Sequence, residues 1–571
     1  MIRKGFGQVH CVAASMVGMA IGLTLMASLV MGQSSSIRID LEDATSSSRI
    51  DFVEHNGASG RYFIMETVVG GLATFDYDGD GWIDVLLTQS ANLPGVPATQ
   101  SKSSKLYRNR RDGTFDDVTK HAGLENDDYV MGIVAGDWNN DGWTDLYFSN
   151  YGWNRLFLNA GDGTFVDRSE AAGVRGKEHL GAGVSFFDME GDGDLDLFVA
   201  NYVEFSMDKH QVKTIGKEKF HAGPADFPPA LYSCFRNRGD GTFEDVSVAS
   251  GIGKTPGYGM GLVAADFDRD GDVDLFACND GTANFYFEND GRGTFAEKAI
   301  EKGVAFDGAG KANSNMGVDV GDFDGDGYLD LITTTYQNEM PVLYQNLQGL
   351  AFVDATRQAK LDRKLYRHVT WGTSLVDLDL DADLDLFFAC GHFMENVSAI
   401  DDRTEYKVRN VILTNQGAQG FQDTTEINGS AMQIVESSRG AAFDDLDNDG
   451  DIDIVVLNIN ARPTFHRNQT KTKHHWLALE LVGVASNRNA VGAEVSVQTQ
   501  RKEQIAQVVS GRGYQSHYGS RLVFGLGGEE RVEKIRVKWP SGVDESFEGL
   551  APDQRHVIIE GSGTPWTKSK S

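Results

Sequence analysis

Residues 322–330 read Asp322-Phe323-Asp324-Gly325-Asp326-Gly327-Tyr328-Leu329-Asp330, and this stretch decides the fold. Aspartates stand at its positions 1, 3, 5 and 9, and glycines at positions 4 and 6. The same loop design recurs along the chain, with first aspartates at residues 76, 137, 188, 266, 322, 377 and 445. Repetition at such intervals is typical of an array of similar structural units, each carrying one loop.

Short apolar strands surround each loop. Small or branched residues precede it, as in 261–265, and apolar runs such as 454–456 follow it. An asparagine ends a third strand in phase with each loop, at positions 109, 159, 237, 289, 346, 415 and 468. After all but the last of these, a turn and then a phenylalanine with an acid two residues later indicate a fourth strand. Seven four-stranded units predict an all-β fold, a seven-bladed β-propeller over residues 37–470.

The seventh unit has no fourth strand of its own, because Asn468 leads directly into another domain. A stretch near the start of the chain, 41–45, follows the pattern of the fourth strand at 243–247. We therefore predict that residues 37–45 supply the outer strand of the last blade. A ring closed in this way leaves no open sheet edge for other chains to pair with.

The loop offers the ligands that Ca²⁺ prefers, which are six to eight oxygens in flexible geometry. Carboxylates at positions 1, 3, 5 and 9 and the main-chain carbonyl of position 7 would form the cage, and glycine at position 6 permits the sharp turn. Up to seven Ca²⁺ ions are therefore predicted, one per blade. The predicted ligand residues are, loop by loop, Asp76, Asp78, Asp80, Trp82 and Asp84; Asp137, Asn139, Asp141, Trp143 and Asp145; Asp188, Glu190, Asp192, Asp194 and Asp196; Asp266, Asp268, Asp270, Asp272 and Asp274; Asp322, Asp324, Asp326, Tyr328 and Asp330; Asp377, Asp379, Asp381, Asp383 and Asp385; Asp445, Asp447, Asp449, Asp451 and Asp453.

The loops are not EF-hands and are not equal to one another. In the first loop, position 12 is Leu87, inside a strand, where an EF-hand has a glutamate. Asn139 gives the second loop one charge fewer, and Glu190 gives the third a longer arm. Ala382 replaces glycine at position 6 of the sixth loop, so we expect a strained turn or a weaker metal there. Because the carboxylates repel one another without metal, calcium binding and folding are expected to be coupled.

Composition limits the class of partner. The chain has 52 Lys and Arg against 83 Asp and Glu, a formal net charge of −31, which argues against nucleic acid as a partner. Residues 1–32 combine a basic start with an apolar run and read as an export signal. We expect cleavage and an exported protein (secreted, periplasmic or at the cell surface). An uncleaved N-terminal anchor is the alternative, and the only membrane link expected.

Cysteine usage predicts no disulfide framework. The exported part retains Cys234, Cys278 and Cys390, an odd number. The last two occupy equivalent strand positions in different repeats, so they cannot meet. We expect buried free thiols that act as small apolar side chains.

The loops and their strands resemble FG-GAP/VCBS repeats, the blade type also seen in integrin α-subunit propellers. Residues 474–561 resemble an ASPIC/UnbV domain, on the stretches 476–479, 486–493, 511–514, 524–527 and 539–542. Their alternation of strand patterns and glycine turns predicts a small β-sandwich packed against the last blade. The combination resembles the bacterial relatives of cartilage acidic protein. This resemblance implies a Ca²⁺-dependent extracellular or periplasmic protein linked to adhesion or protein interaction. The chain shows no EGF-like tail with its cysteines, so a matrix role of the animal members is not expected to carry over.

Two functions from different classes fit these patterns. The first is a non-catalytic, calcium-stabilised module that binds a protein or a glycan. The second is a polysaccharide-processing enzyme, a lyase or hydrolase. No nucleophile elbow, zinc-protease motif, phosphate loop or haem attachment motif occurs in the sequence, so the binding module is favoured.

The insert at 202–233 is the best place for additional chemistry. It is either a long surface loop or a basic lid over the central channel that binds an acidic ligand. His368 and His392 either line one face of the propeller or are structural residues whose hydrogen bonds are satisfied. The chemically notable side chains of the insert are Lys209, His210, Lys213, Lys217, Lys219, His221 and Pro224.

Overall fold

The computed structural model describes residues 38–91, 93, 102–177 and 179–566, and these residues form an all-β protein. The predicted export signal at 1–32 lies outside the described residues. Within those ranges, no helix is long and apolar enough to cross a bilayer. The three described cysteines, Cys234, Cys278 and Cys390, are free and buried, as expected.

Each repeat forms an antiparallel four-stranded sheet in which strands follow chain order, so that seven blades lie in the described part of the chain. The strands are β1 Leu41–Asp43; in blade 1, β2 Leu72–Phe75, β3 Asp84–Leu87, β4 Lys105–Asn109 and β5 Phe115–Asp117; in blade 2, β6 Tyr129–Gly136, β7 Asp145–Gly152, β8 Arg155–Asn159 and β9 Phe165–Asp167; in blade 3, β10 His179–Phe187, β11 Asp196–Asn201, β14 Ser233–Asn237 and β15 Phe243–Asp245, with the hairpin β12 Val212–Ile215 and β13 Glu218–His221 between them; in blade 4, β16 Gly259–Ala265, β17 Asp274–Asn279, β18 Phe285–Asn289 and β19 Phe295–Glu297; in blade 5, β20 Val318–Gly321, β21 Asp330–Thr333, β22 Val342–Asn346 and β23 Phe352–Asp354; in blade 6, β24 Thr370–Val376, β25 Asp385–Cys390, β26 Val411–Asn415 and β27 Phe421–Asp423; in blade 7, β28 Ser438–Asp444, β29 Asp453–Asn458 and β30 Thr464–Asn468. A short pairing between β7 and β10 joins blades 2 and 3.

Helical structure is confined to short connections in the described ranges. The helices are α1 Ser247–Ser250 and α2 Ala299–Lys302. The 3₁₀ turns are Ile64–Thr67, Met207–Lys209, Pro224–Asp226, Ile252–Lys254, Arg363–Arg367, Val397–Ala399, Gly417–Gln419, Thr425–Ile427 and Ala431–Gln433. Both α-helices end at a glycine in the left-handed conformation, Gly251 and Gly303, which stops each after one turn.

Blade 7 takes its fourth strand from the N-terminal side of the chain. Strand β1 pairs antiparallel with β30, with Leu41 opposite Asn468. The side chains of Ile39 and Leu41 are fully buried. This confirms the predicted closure strand, and it completes the seventh sheet.

Replacing Leu41 with alanine is expected to lower the free energy of unfolding by about 2–5 kcal/mol, because a fully buried leucine leaves a cavity in the closing blade. Chemical denaturation would measure the loss. The neighbouring exposed Glu42 provides the control, since Glu42→Ala keeps the strand and removes no buried contact. Equal stability of both variants would mean that β1 does not hold the ring closed.

A collar of glycines draws the innermost strands together. A Cβ on any of these glycines would press into the main chain of the next blade, against the residue just before that blade's own glycine. The seventh contact returns to the first blade, since a Cβ on Gly440 would lie 2.5 Å from the carbonyl oxygen of Gly70. The collar glycines are Gly71, Gly132, Gly183, Gly261, Gly317, Gly372 and Gly440. The blades therefore form a closed ring whose inner wall has no room for side chains at this level.

The C-terminal part forms two further sheets. The three-stranded sheet has the order β34-β31-β37 and the five-stranded sheet the order β33-β32-β35-β36-β38. The strands are β31 His475–Val482, β32 Glu494–Gln498, β33 Glu503–Gln507, β34 Leu522–Gly527, β35 Lys534–Lys538, β36 Asp544–Phe547, β37 Gln554–Ile559 and β38 Thr564–Pro565. Their apolar faces share one core cluster with residues of blades 2 and 3, such as Trp138 and Phe186.

The sequence predicts that the C-terminal domain packs against the last blade, but in the structure this domain contacts more of the ring. Its segment 509–518, here called the axial segment, enters the centre of the ring. The main chain of Gly513 exchanges two hydrogen bonds with Val318 of blade 5, with N···O distances of 2.8 and 3.0 Å. The carbonyl oxygens of Gln515 and His517 accept hydrogen bonds from blades 2 and 1. The domain does contact blade 7, where Trp476 lies against Gly450. The expectation was incomplete because main-chain pairing, which has no side-chain pattern, also holds the axial segment inside the ring.

Candidate metal centres on one face of the ring

The first aspartate of each loop folds the loop around itself. In the first loop, the main-chain N–H groups of Asp80 and Gly81 donate to the two carboxylate oxygens of Asp76, at 3.1 and 2.7 Å. The N–H of Trp82 then donates to Asp80. Position 7 is therefore held through its main chain, which explains why its side chain varies between loops.

The aspartate at position 9 is fixed by the strands on both sides. In the fifth loop, Asp330 accepts from the N–H of Phe323 at position 2 and from the N–H of Asn346 at the end of β22. Both oxygens of this buried carboxylate are thereby oriented before any cation binds. The same N–H of the strand-ending asparagine reaches the position 9 aspartate in every loop.

The strand-ending asparagines link neighbouring loops into a ring. The amide of Asn159 donates to the carbonyl oxygens of Thr144 in its own loop and Tyr77 in the loop of the preceding blade. Asn109 in blade 1 reaches back to Leu446 in the loop of blade 7, which closes the circle. The sequence shows that these asparagines recur in phase with the loops, but it does not show that their amides link one loop to the next. The other members of the ring are Asn237, Asn289, Asn346, Asn415 and Asn468.

Five loops bring three carboxylates together closely enough for one ion. In each, one oxygen from each of three aspartates lies within 4.8 Å of the others. The groups are Asp76, Asp78 and Asp84; Asp266, Asp268 and Asp270; Asp322, Asp324 and Asp330; Asp377, Asp379 and Asp385; Asp445, Asp447 and Asp449. The second and third loops do not form such a group among the described residues. They are the loops with Asn139 and Glu190 at position 3, which the sequence singled out.

Position 3 carries the clearest sign of a missing partner. One buried oxygen of each of the position 3 side chains Asp78, Glu190, Asp268, Asp379 and Asp447 has no hydrogen-bond partner. Buried polar atoms nearly always have a hydrogen-bond partner, so these unpartnered oxygens indicate ligands for a cation. In the second loop, the amide of Asn139 instead donates to Asp141, at 2.8 Å.

Burial makes the metal-free carboxylates hard to ionise. Desolvation raises the pKa of Asp145 and of Asp330 to about 9, against several hydrogen bonds that lower it. The pKa of Asp451 at position 7 rises to about 10, first by desolvation and then by the neighbouring carboxylates. A divalent cation would remove this cost by supplying the opposite charge. The oxygen-only donor set and the unpartnered buried oxygens fit Ca²⁺.

The sixth loop has the strained turn that its sequence predicts. Ala382 adopts φ of +76°, a conformation that glycine takes at position 6 in the other loops. Its N–H still donates to Asp377, at 2.8 Å, as the glycines do. The loop therefore keeps its shape in spite of the unfavourable residue.

Hydrogen bonds tie the C-terminal domain to this face of the ring. Arg555 donates to the carbonyl oxygen of Gly81 in the first loop, and Arg521 donates to Asn448 in the seventh. The second, fourth and sixth loops are bonded to residues of the same domain. None of these contacts was predicted, because they depend on how two domains are oriented.

The opposite end of the ring is closed by other parts of the chain. Residues 61–69, here called the capping segment, place Phe63, Ile64 and Met65 in the same buried cluster as Tyr514 of the axial segment. The hairpin of the insert lies over the capping segment, where His221 contacts Glu66 with an N···O distance of 3.2 Å. The insert thus covers this end of the ring, while its lysines 209, 213, 217 and 219 are exposed.

The other side chains that the sequence singled out lie apart from the loops. Burial lowers the pKa of His392 to about 3, and its Nε2 lies 3.2 Å from the hydroxyl of Tyr336. Burial also lowers the pKa of His368. Pro224 begins a 3₁₀ turn of the insert. His392 is thus a satisfied structural residue at neutral pH.

Two protein families match parts of this chain. The FG-GAP-like repeat family matches residues 76–148, 137–199, 232–277 and 266–333, and the ASPIC and UnbV family matches residues 483–565. The chain combines FG-GAP-like repeats with an ASPIC and UnbV domain. The axial segment, residues 509–518, belongs to the ASPIC and UnbV match, and the FG-GAP-like matches contain the first five loops.

The chain is also similar, at low identity, to several known proteins. Human cartilage acidic protein 1 is 23% identical over 517 residues, which are 86% of this chain and 71% of that protein. A lectin from Agrocybe aegerita specific for non-reducing terminal N-acetylglucosamine is 17% identical, with a TM-score of 0.34, over 62% of this chain and 79% of its own. The exotype rhamnogalacturonan lyase YesX is 12% identical, with a TM-score of 0.37, over 71% and 72%. At these scores neither structure bears on what the FG-GAP-like repeats of this chain bind.

Proposed function

We propose that this protein is a calcium-stabilised extracellular or cell-envelope module that binds a protein or a glycan without catalysis. The observation that carries the calcium part is the set of gathered carboxylates with unpartnered buried oxygens, repeated round the ring. The similarity to cartilage acidic protein 1 supports an extracellular setting. In such a setting, sites with dissociation constants of roughly 10⁻⁴–10⁻³ M are occupied.

The geometry of the ring supports binding over catalysis. In propellers, loops from all blades converge at the mouth of the central channel, where a substrate would meet side chains. Here the axial segment and the capping segment occupy that channel from its two ends. In the described part of the chain these two segments fill the axis, so we do not carry the polysaccharide-processing alternative forward. A ligand would bind the face that bears the insert, since the C-terminal domain covers the other.

Removing calcium is expected to lower the melting temperature by about 5–10 °C. At a free concentration ten times the dissociation constant, each site adds about 1.4 kcal/mol of stability, and several sites add together. Calorimetry in millimolar calcium and in chelator measures the shift, with equal ionic strength as the control. Metal analysis after gel filtration gives the stoichiometry. An unchanged melting temperature together with no bound calcium would refute the proposal.

The binding part needs its own experiment. A panel of cell-surface glycans and envelope proteins would be screened with the protein in calcium and in chelator. Saturable binding that Lys217→Glu on the insert weakens, and Lys120→Glu on blade 1 does not, would support recognition by the insert face; both lysines are exposed. Binding unaffected by Lys217→Glu would place the ligand elsewhere on the protein.

A further inference from the structure

We propose that the sixth loop is an occluded calcium site between the two domains, whose ion leaves more slowly than the ions of the other loops because the C-terminal domain covers it. The inference rests on the proposed calcium binding and adds a kinetic property that the other loops do not share. It is carried by burial, by the contacts that cover the loop, and by one unpartnered oxygen.

Burial separates the sixth loop from the rest. Among the carboxylate groups found in the described residues, it is the one in which all three members are buried. Asp377, Asp379 and Asp385 are 6%, 7% and 3% exposed. In the fifth loop, by contrast, Asp324 at position 3 is exposed to solvent. An ion in the sixth loop would therefore be shielded from water on the side of these three aspartates, and Asp381 at position 5 would be its exposed ligand.

The cover is made by the C-terminal domain. The main chain of Gly525 in β34 lies directly on Asp377, so close that a Cβ at this glycine would collide with the carboxylate. The N–H of Gly527 donates to the carbonyl oxygen of Leu380 within the loop, at 2.9 Å. Strand β34 is thus attached to the loop by its main chain and covers Asp377 directly.

Two side chains of the same domain close the rim of the site. The ammonium group of Lys502 lies 2.6 Å from a carboxylate oxygen of Asp383 at position 7. The imidazole of His474 is bonded to the carbonyl oxygen of Asp379, at 2.9 Å. Lys502 therefore engages a side chain that the predicted ligand set does not use, since position 7 contributes its main-chain carbonyl. The carboxylates at positions 1, 3 and 9 remain available.

One ligand oxygen inside this cover has no partner. Oδ1 of Asp379 is buried and accepts no hydrogen bond. Within the described residues, no donor of the C-terminal domain contacts it. A cation bound before the domains docked would satisfy this oxygen and would then be held beneath strand β34.

The rate of calcium release tests the proposal directly. The full-length protein is loaded with calcium, freed of excess, and mixed rapidly with a fluorescent chelator. We expect most of the bound calcium to leave in a fast phase and about one equivalent to leave at least ten times more slowly. Asp379→Asn should remove the slow equivalent, whereas Asp324→Asn in the exposed fifth loop should remove one equivalent from the fast phase.

A second variant tests the cover without touching a ligand. The amide of Gln504 donates to the carbonyl oxygen of Gly525, at 2.8 Å, and holds strand β34 in place. Gln504→Ala changes no charge, so it should leave the amount of bound calcium unchanged and speed the slow phase by about fivefold, the effect of losing a typical hydrogen bond.

The outcomes separate this proposal from the one on which it rests. Bound calcium that leaves in a single fast phase would overturn the occluded site and leave the calcium-stabilised module standing. A slow phase that persists in Asp379→Asn would also overturn it. Absence of bound calcium in the native protein would overturn both.

Discussion

Gly317→Ala is expected to destabilise the protein by about 3 kcal/mol or more, and to lower its yield of folded protein. The added Cβ would collide with the carbonyl oxygen of Trp371 in blade 6 and approach the main chain of the axial segment. Both neighbours are main chain and are fixed by hydrogen bonds, so the strain cannot be relieved by a rotamer change. No left-handed backbone conformation is involved, which makes the effect one of space alone.

Denaturation in saturating calcium would measure this effect. Gly528→Ala provides the matched control, because a Cβ at Gly528 meets nothing within 4 Å. We expect the control to unfold within about 0.5 kcal/mol of the native protein, as surface substitutions usually do. If the two variants were equally stable, the blades would have to be further apart at the collar than the structure shows.

Arg512→Met is expected to cost about 3–5 kcal/mol, since it removes the partner of a fully buried carboxylate. Arg512 of the axial segment forms an ion pair with Asp319 of blade 5, whose side chain is 0% exposed. Asp319 also accepts hydrogen bonds from Ser374 and Leu375. These cannot offset a buried negative charge, so we expect the axial segment to loosen and the ring to become sensitive to proteases.

A double substitution distinguishes the charge from the packing. Asp319→Asn removes the buried charge, so Arg512→Met should be less costly in the Asp319→Asn background than in the native protein. Arg501→Ala is the control, because this arginine of the same domain pairs with Glu529 while its own side chain is 80% exposed. A loss below about 1 kcal/mol for Arg512→Met would show that the axial segment is held by its main chain alone.

The features that follow a local pattern were predictable from the sequence. The loop repeats, the closing strand and the strained turn at Ala382 each depend on residues close together in the chain, where spacing reflects geometry. The glycine collar was equally accessible, because each collar glycine stands five residues before the first aspartate of its loop, as Gly317 does before Asp322.

The contacts between domains were not predictable in the same way. The axial segment is held largely by main-chain hydrogen bonds, as at Gly513, and these leave no trace in side-chain pattern. The cover over the sixth loop depends on the orientation of strand β34. The ring of asparagines was predictable only in part. Their regular spacing is evident in the sequence, but the carbonyl oxygen that each amide reaches in the neighbouring blade is not.

The closing strand and the axial segment together determine when the ring can close during synthesis of the chain. Leu41 is made early but must wait for the strand that ends at Asn468, and the centre of the ring stays unfilled until Gly513 has been made. Bringing together residues so distant in the chain is slow. A growing chain can therefore assemble single blades but cannot close and fill the ring, so nascent chains should expose unpaired strand edges to chaperones and proteases until the axial segment has been made.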